Sequence, residues 1–294
     1  MLFQIFTIIA PVFVIALIGY IWQKRALPFD NNMVMMVVSY IAAPSMLLHA
    51  ALTTKIAFDA IARIAVASVV LIAAMTSLGW VVTRLFKLPQ RVYLPAVIFS
   101  NAGNMGLPLC LFAFGDVGLV YAVAFNAMQS ALQFSLGDLI SSGKFSWRNI
   151  VANPLIIAVV VAGILVAAHV TLPLWIENTL GALGDLTAPL MLLSLGTSLA
   201  KLRVAGLGAA FGISVLRLAG GFGAGLAVVW ALQLDGAARG SVIIQSSMPV
   251  AVLTYMFALR YNNQPEEVAA MVFISTIISF LTLPLLMAYV LSLN

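Results

Sequence analysis

Residues 100–108 read Ser100-Asn101-Ala102-Gly103-Asn104-Met105-Gly106-Leu107-Pro108. They sit in the middle of an otherwise apolar run over 92–114. Pro108 lacks a backbone donor and clashes with the turn before it. Gly103 and Gly106 adopt backbone angles that other residues resist. Asn101 and Asn104 can replace lost backbone hydrogen bonds or present amides to a ligand. This stretch predicts a broken helix. If the run crosses a bilayer, the break lies at mid-depth. Unwound backbone is tolerated there only where protein buries it or water reaches it.

Composition says that the run does cross a bilayer. Hydrophobic residues make up 63% of the 294 and charged residues 8%, and the mean hydropathy is +1.13. A soluble domain carries about 25% charge. The chain is read as a polytopic all-α membrane protein. A soluble enzyme, a nucleic-acid-binding domain and a disordered chain are excluded. The net charge of +5 is no nucleic-acid signal, because the basic residues fall in short loops. Cys110 is the single cysteine, so no internal disulfide forms, and two histidines with it make no metal site. The first apolar segment reads as a span and not as a cleavable leader. No basic stretch precedes it, and Lys24 and Arg25 follow it.

A span needs about 20 apolar residues. Ten segments qualify, near 2–22, 32–52, 62–83, 92–114, 117–138, 150–170, 178–200, 206–232, 238–260 and 267–291. The loops on one side hold ten basic residues: Lys24, Arg25, Arg84, Lys87, Arg91, Lys144, Arg148, Lys201, Arg203 and Arg260. The other side holds Lys55, Arg63 and Arg239. The first side is therefore expected to be cytoplasmic, with both termini on the opposite face.

The chain also repeats itself. Ala43-Pro44-Ser45-Met46-Leu47-Leu48 returns as Ala188-Pro189-Leu190-Met191-Leu192-Leu193, with five of six residues matching at an offset of 145. Val97-Ile98 pairs with Val242-Ile243 at the same offset, and Pro11 and Pro154 are expected to open the first span of each half. The reading is two five-span repeats, 1–140 and 150–294, around a short cytoplasmic joint at 141–149. An odd number of spans turns the second repeat upside down. Such inverted repeats are common among secondary transporters.

The ninth span carries Gln245-Ser246-Ser247-Met248-Pro249 at the depth of the first break. Paired interruptions of this kind point to a central transport site. If the two broken spans cross, two half-helix N-termini meet at mid-membrane. Each carries roughly half a positive charge and free N–H donors. Such a site favours an anion.

The 100–108 segment resembles the fourth-span motif of the auxin efflux carrier family, which includes plant PIN carriers and bacterial malonate carriers. The resemblance covers essentially the whole chain. It implies a fold related to the bile-acid symporter type, with crossed, proline-broken helices 4 and 9. It implies a scaffold subdomain of spans 1, 2, 6 and 7 and a transport subdomain of spans 3–5 and 8–10. It further implies elevator-type alternating access, an organic-anion substrate and a homodimer. Asn101 matches the substrate-side asparagine, and Pro108 and Pro249 match the crossover prolines. Gly103, Asn104, Ser246, Ser247 and, across the subdomain boundary, Ser45 complete the expected binding set. Where the family has a second asparagine this chain has Ser246 and Ser247.

Other polar residues are candidates for supporting roles. Arg217 stands near the centre of the eighth span, where an arginine costs about 2.5–3.5 kcal/mol on insertion scales. It is either a counter-charge for the anion or a structural partner of an acid or of the broken helices' carbonyls. Asp185 and His49 are candidates for charge or proton coupling, while Asp138 reads as a solvated helix end. Asn126, Gln129 and Gln133 fall on one helical face and either line the route or hold helices together. No nucleotide fingerprint or Walker motif occurs, so no cofactor and no ATP drive are expected.

The leading function is secondary transport of a small organic anion, in a bacterial inner membrane. The alternative is a sodium-coupled symporter of the bile-acid type. An intramembrane aspartyl protease is the enzymatic rival, because Leu136-Gly137-Asp138-Leu139 and Leu183-Gly184-Asp185-Leu186 echo one another. It is disfavoured because Ala182 replaces the glycine its motif needs. A channel is disfavoured by the lack of a selectivity-filter sequence.

Overall fold

The computed structural model describes residues 2–54, 58–143, 154–168, 170–202 and 207–293. Lys55, Lys144, Arg148, Arg203 and most of the expected joint lie outside them. The described residues are helical, without named strands. In chain order the helices are α1 (Leu2–Lys24), α2 (Asn31–Val37), α3 (Ala43–Thr54), α4 (Phe58–Leu85), α5 (Gln90–Ile98), α6 (Leu107–Leu132) and α7 (Asp138–Ser142). They continue as α8 (Pro154–Ala167), α9 (Leu174–Gly184), α10 (Thr187–Lys201), α11 (Leu207–Ala231), α12 (Gly236–Ser246), α13 (Val252–Tyr261) and α14 (Pro265–Ser292). Wider π turns at Val38–Ala42, Ala102–Gly106 and Gln133–Gly137 adjoin α3, α6 and α7.

Among the described residues, seven helical stretches are long and apolar enough to cross a membrane: Phe3–Lys24, Asn31–Thr53, Asp59–Leu85, Ala102–Ser142, Leu174–Lys201, Gly208–Ala231 and Pro265–Ser292. Pro154–Val166 is apolar but shorter. The ten expected segments map unevenly onto these. Ala102–Ser142 is 41 residues long and folds back at Gly115, whose φ of 62° and ψ of −152° are not helical. It therefore holds the second half of the expected fourth span together with the fifth. The first half of the fourth span, and the whole ninth, are short helices on either side of a break.

Local chemistry sets the ends. Asp30 caps α2, its Oδ1 accepting from the N–H of Asn32 and Met33 at 2.9 and 3.2 Å. Asn262 and Gln264 adopt left-handed backbone between α13 and α14, and Pro265 then opens α14. The two copies of the Ala-Pro-x-Met-Leu-Leu repeat stand in similar places. Each lies at the start of a helix just after an irregular stretch: α3 follows a π turn, and α10 follows the turn at Asp185–Leu186. Pro11 departs from expectation. It stands inside α1 and does not open it.

Packing brings the helices into two neighbourhoods. In the first, α1 lies against α10, and α3 lies against α8 and α9. Contact between α1 and α10 is close because glycines permit it. A Cβ on Gly19 would stand 2.3 Å from the Leu193 carbonyl oxygen, and one on Gly196 would stand 1.9 Å from that of Ala16. Asn31 joins this group, accepting from Ser194 at 3.0 Å and Thr197 at 2.9 Å. In the second neighbourhood α6 packs on α4 and α12, and α11 packs on α14, α12 and α4. The two meet where α6 touches α3 and α8, where α10 touches the Ala102–Gly106 π turn, and where α1 touches α14 and α6. Exposed large apolar side chains such as Phe3, Leu17, Trp80, Trp230 and Leu281 cover the outside, as lipid contact requires.

Candidate functional site

The first break is a change of backbone direction. Helix α5 ends at Ile98, and Phe99 is extended, with φ −96° and ψ 121°. Helical structure resumes at Ala102 as a π turn, in which the Leu107 N–H reaches back five residues to the Ala102 carbonyl. The wider turn makes room just before Pro108, the second residue of α6, whose ring would crowd an ordinary α turn. The interruption therefore falls at Phe99–Asn101, and Pro108 belongs to the resumed helix. In the second break Pro249 lies within the gap itself, between Ser246, where α12 ends, and Val252, where α13 begins.

The two breaks meet. Ser100 and Val250 form an antiparallel bridge. The Asn101 N–H donates to the Pro249 carbonyl at 2.7 Å, and the Ala251 N–H donates to the Phe99 carbonyl at 3.0 Å. The Val250 N–H is taken by Ser275 Oγ at 3.0 Å. Each unwound segment thus supplies what the other's backbone lacks, which is how non-helical chain survives when buried away from water.

Side chains reinforce the crossing. Gln129 holds Ser100 twice: its Oε1 accepts from Ser100 Oγ, and its Nε2 donates to the Ser100 carbonyl, both at 2.7 Å. Gln129 therefore fastens the break. Asn126, one turn earlier, lies beside Gly103, where an added Cβ would stand 3.5 Å from its Oδ1. Gln133 is buried, and its Nε2 has no partner. Arg217 is fully buried. Its Nη1 donates to the carbonyls of Val97 and Ile98 at 2.8 and 2.9 Å, and its Nη2 donates to that of Ser246. These three bonds run to carbonyls of the broken helices, while its buried Nε has no partner.

The asparagines stand differently. Asn101 is 4% exposed and precedes the resumed helix without its side chain capping it. Its Nδ2 is buried and unpaired. Asn104 is buried on the first turn of that helix. N–H groups in a first turn have no helical carbonyl to meet. Ser246 and Ser247 turn their hydroxyls back to the Ile243 carbonyl, at 3.0 and 2.6 Å. Those donors are used within α12. The sequence reading named Gln245 only as part of the second break and passed over Ser275 and Thr254. Gln245 Nε2 donates to the Ala122 carbonyl at 3.1 Å, Ser275 receives Val250, and Thr254, in the first turn of α13, has a buried Oγ1 without a partner. Small polar residues inside apolar spans are the signal that could have found them.

His49 and Asp185 lie apart from the crossing. They line a cavity of about 270 Å³ between α3, α9, α10 and α6, together with Met46, Phe112 and Asp116. The His49 ring rests on Gly181, whose added Cβ would stand 3.3 Å from Cε1, and its Nδ1 has no partner. Asp185 is exposed, in the turn between α9 and α10. Ser45 is buried on α3, four residues before His49. Asp138 departs from a freely solvated end: its Oδ1 accepts from Tyr261 Oη at 2.6 Å. No group of three or more His, Cys, Asp or Glu that could hold a metal occurs among the described residues.

The comparisons with known proteins agree in kind. A family model described as "Membrane transport protein" matches residues 4–144 and 138–287. An uncharacterized transporter of Methanocaldococcus jannaschii is 26% identical over 199 residues, 64% of each chain. An uncharacterized transporter of Methanothermobacter thermautotrophicus is 29% identical over 200 residues, 65% of each chain. The matches thus span slightly less than two thirds of these relatives.

Proposed function

The chain belongs to the membrane transport protein family, the family of the auxin efflux carriers, and from that premise we propose that it is a secondary transporter of a small organic anion. The substrate class is a carboxylate, either auxin-like or a dicarboxylate. Its site is the crossing. The observation that carries this reading is Asn101. Its main chain is fixed in the bridge, while its buried amide Nδ2 has no protein partner. A buried unpaired donor is costly, and a ligand acceptor would satisfy it. The starts of α6's π turn and of α13 add two positive helix ends beside it. Thr254 Oγ1 and the amide of Asn104 stand on those same first turns.

The proposed architecture is ten spans in two inverted repeats, 1–140 and 150–294, with termini on the non-cytoplasmic face of a bacterial inner membrane. The α1–α10 and α3–α8–α9 neighbourhood is the scaffold and the dimerisation surface. The neighbourhood of α4–α6 and α11–α14 is the moving part. The cavity holding His49 and Asp185 lies at the seam between them. An elevator stroke that carries the crossing past this seam exposes it to alternate sides, and it needs no bond-making chemistry.

Liposome uptake of labelled malonate and of an indole carboxylate tests this, with and without proton and sodium gradients, beside Asn101→Ala. Saturable uptake that falls at least tenfold in the variant is expected. Equal uptake by a folded Asn101→Ala protein would move the site away from the crossing. Uptake that needs the sodium gradient would favour the bile-acid-type symporter.

A further inference from the structure

We infer that Arg217 is the clamp that holds the two first half-helices together at their C-terminal ends, and that it does not meet the substrate's charge. The inference rests on the crossing being the transport site, and it assigns the one cation that is buried there among the described residues. Helix α5 comes from the first half of the chain and α12 from the second. Both end at the crossing, with their last carbonyls pointing inward. A helix C-terminus carries roughly half a negative charge and unpaired carbonyls. Two such ends side by side repel, and the Val97, Ile98 and Ser246 carbonyls receive no backbone donor among the described residues. Arg217, from α11, supplies both remedies. All three of its hydrogen bonds run to main-chain carbonyls: Val97 and Ile98 on α5, and Ser246 on α12. Its single positive charge offsets about one negative charge from the two helix ends.

The residues around it are shaped for this contact. Gly221 lies one turn along α11. A Cβ there would stand 2.2 Å from Arg217 Nη2 and 2.2 Å from the Ser246 carbonyl oxygen. Gly225, a turn further, leaves the space that Ser246 Oγ fills, at 2.0 Å from its would-be Cβ. Arg217, Gly221 and Gly225 share one face of α11, and that face receives the end of α12. The guanidinium is fully buried, so no snorkelling to the surface occurs. With both C-termini neutralised, the two N-termini are left as the unopposed positive ends of the crossing. An anion preference then follows from backbone dipoles, without a cationic side chain on the ligand. The clamp also makes the paired breaks one body, which a rigid moving unit requires.

Hydrogen–deuterium exchange read by mass spectrometry tests this on the purified full chain, with no substrate present. Wild type, Arg217→Lys and Arg217→Gln are compared over peptides spanning 97–101 and 246–251. In Arg217→Gln both peptides are expected to exchange at least tenfold faster, while those of α1 and α10 keep their rates. Arg217→Lys, which keeps the charge and three donors, is expected to stay within threefold. Wild-type exchange at the crossing in a folded Arg217→Gln protein overturns the clamp. If that variant does not fold, Gly221→Ala takes its place. It keeps the arginine but puts a methyl into the contact, and the same local tenfold rise is expected; a wild-type rate again overturns the clamp. Malonate uptake adds a second readout. Arg217→Lys is expected to lower kcat with KM within threefold. A KM raised more than tenfold with exchange unchanged would make Arg217 the ligand's counter-charge. Exchange is measured without ligand, so the clamp and the substrate assignment fail separately.

Discussion

Gly106→Ala gives the sharpest test of how the crossing is packed. An added Cβ would stand 2.0 Å from Gln245 Oε1, 2.9 Å from its Cδ and 3.3 Å from Met248 Cγ. The glutamine amide must retreat by more than an ångström. It is fully buried, and its Nε2 is held by the Ala122 carbonyl at 3.1 Å. The retreat therefore adds an overpacking cost of about 1–3 kcal/mol to the loss of a buried hydrogen bond, another 1–3 kcal/mol or so. Replacing glycine in helical backbone returns about 0.5–1 kcal/mol. The net expectation is a destabilisation of about 2–4 kcal/mol. Gln245→Ala alone should cost less, about 0–2 kcal/mol, because its Oε1 is already unpaired. In the Gln245→Ala background the new methyl enters the vacated space. Gly106→Ala should then cost under about 1 kcal/mol. Reversible unfolding of all four proteins in mixed micelles with a denaturing detergent measures the cycle. A favourable coupling of about 1–3 kcal/mol is expected. Additivity within about 0.5 kcal/mol would refute the contact and the close approach of the π turn to α12.

Gln129→Met removes both bonds to Ser100 while keeping the side-chain volume. It should destabilise by about 2–4 kcal/mol in the same unfolding assay, and a loss below 1 kcal/mol or so would show that Gln129 does not fasten the break. Gly19→Ala and Gly196→Ala should each cost about 1–3 kcal/mol. The double variant should cost less than their sum, because one widening of the α1–α10 gap serves both methyls; full additivity would refute the shared contact. Thr254→Val keeps shape and removes an unpaired buried hydroxyl. Its melting temperature should hold or rise by a few degrees, while KM for the transported anion rises several-fold; an unchanged KM would remove Thr254 from the site.

Much of the crossing was legible because membrane chemistry is unforgiving. A Gly/Asn/Pro cluster inside an apolar run has few uses, and its echo at Gln245–Pro249 marked the partner. Asn101 and Arg217 stood out because a polar group in lipid needs a reason. What the sequence could not supply was pairing. Gln129 shares a helical face with Asn126 and Gln133, and that spacing fits lining and fastening equally. Only the fold brings Gln129 within 2.7 Å of Ser100. Ser246 and Ser247 look like ligands in the sequence, yet their hydroxyls bond to their own helix. Pro108 looked like the cause of the first break. The break falls at Phe99–Asn101 because a bridge to Pro249 and Ala251 was available there.

The amino-acid sequence by itself determined that this chain lives in a bilayer, that its elements are helices and that two of them are interrupted. Hydropathy and backbone chemistry are local, and each residue carries them wherever it goes. The tertiary structure alone decided which interruptions join, which polar groups are satisfied and which are left open. Those outcomes depend on distances between residues far apart in the chain. Arg217 shows the division: its cost in lipid can be read from one letter, whereas its three carbonyl partners come from two helices that only folding brings together.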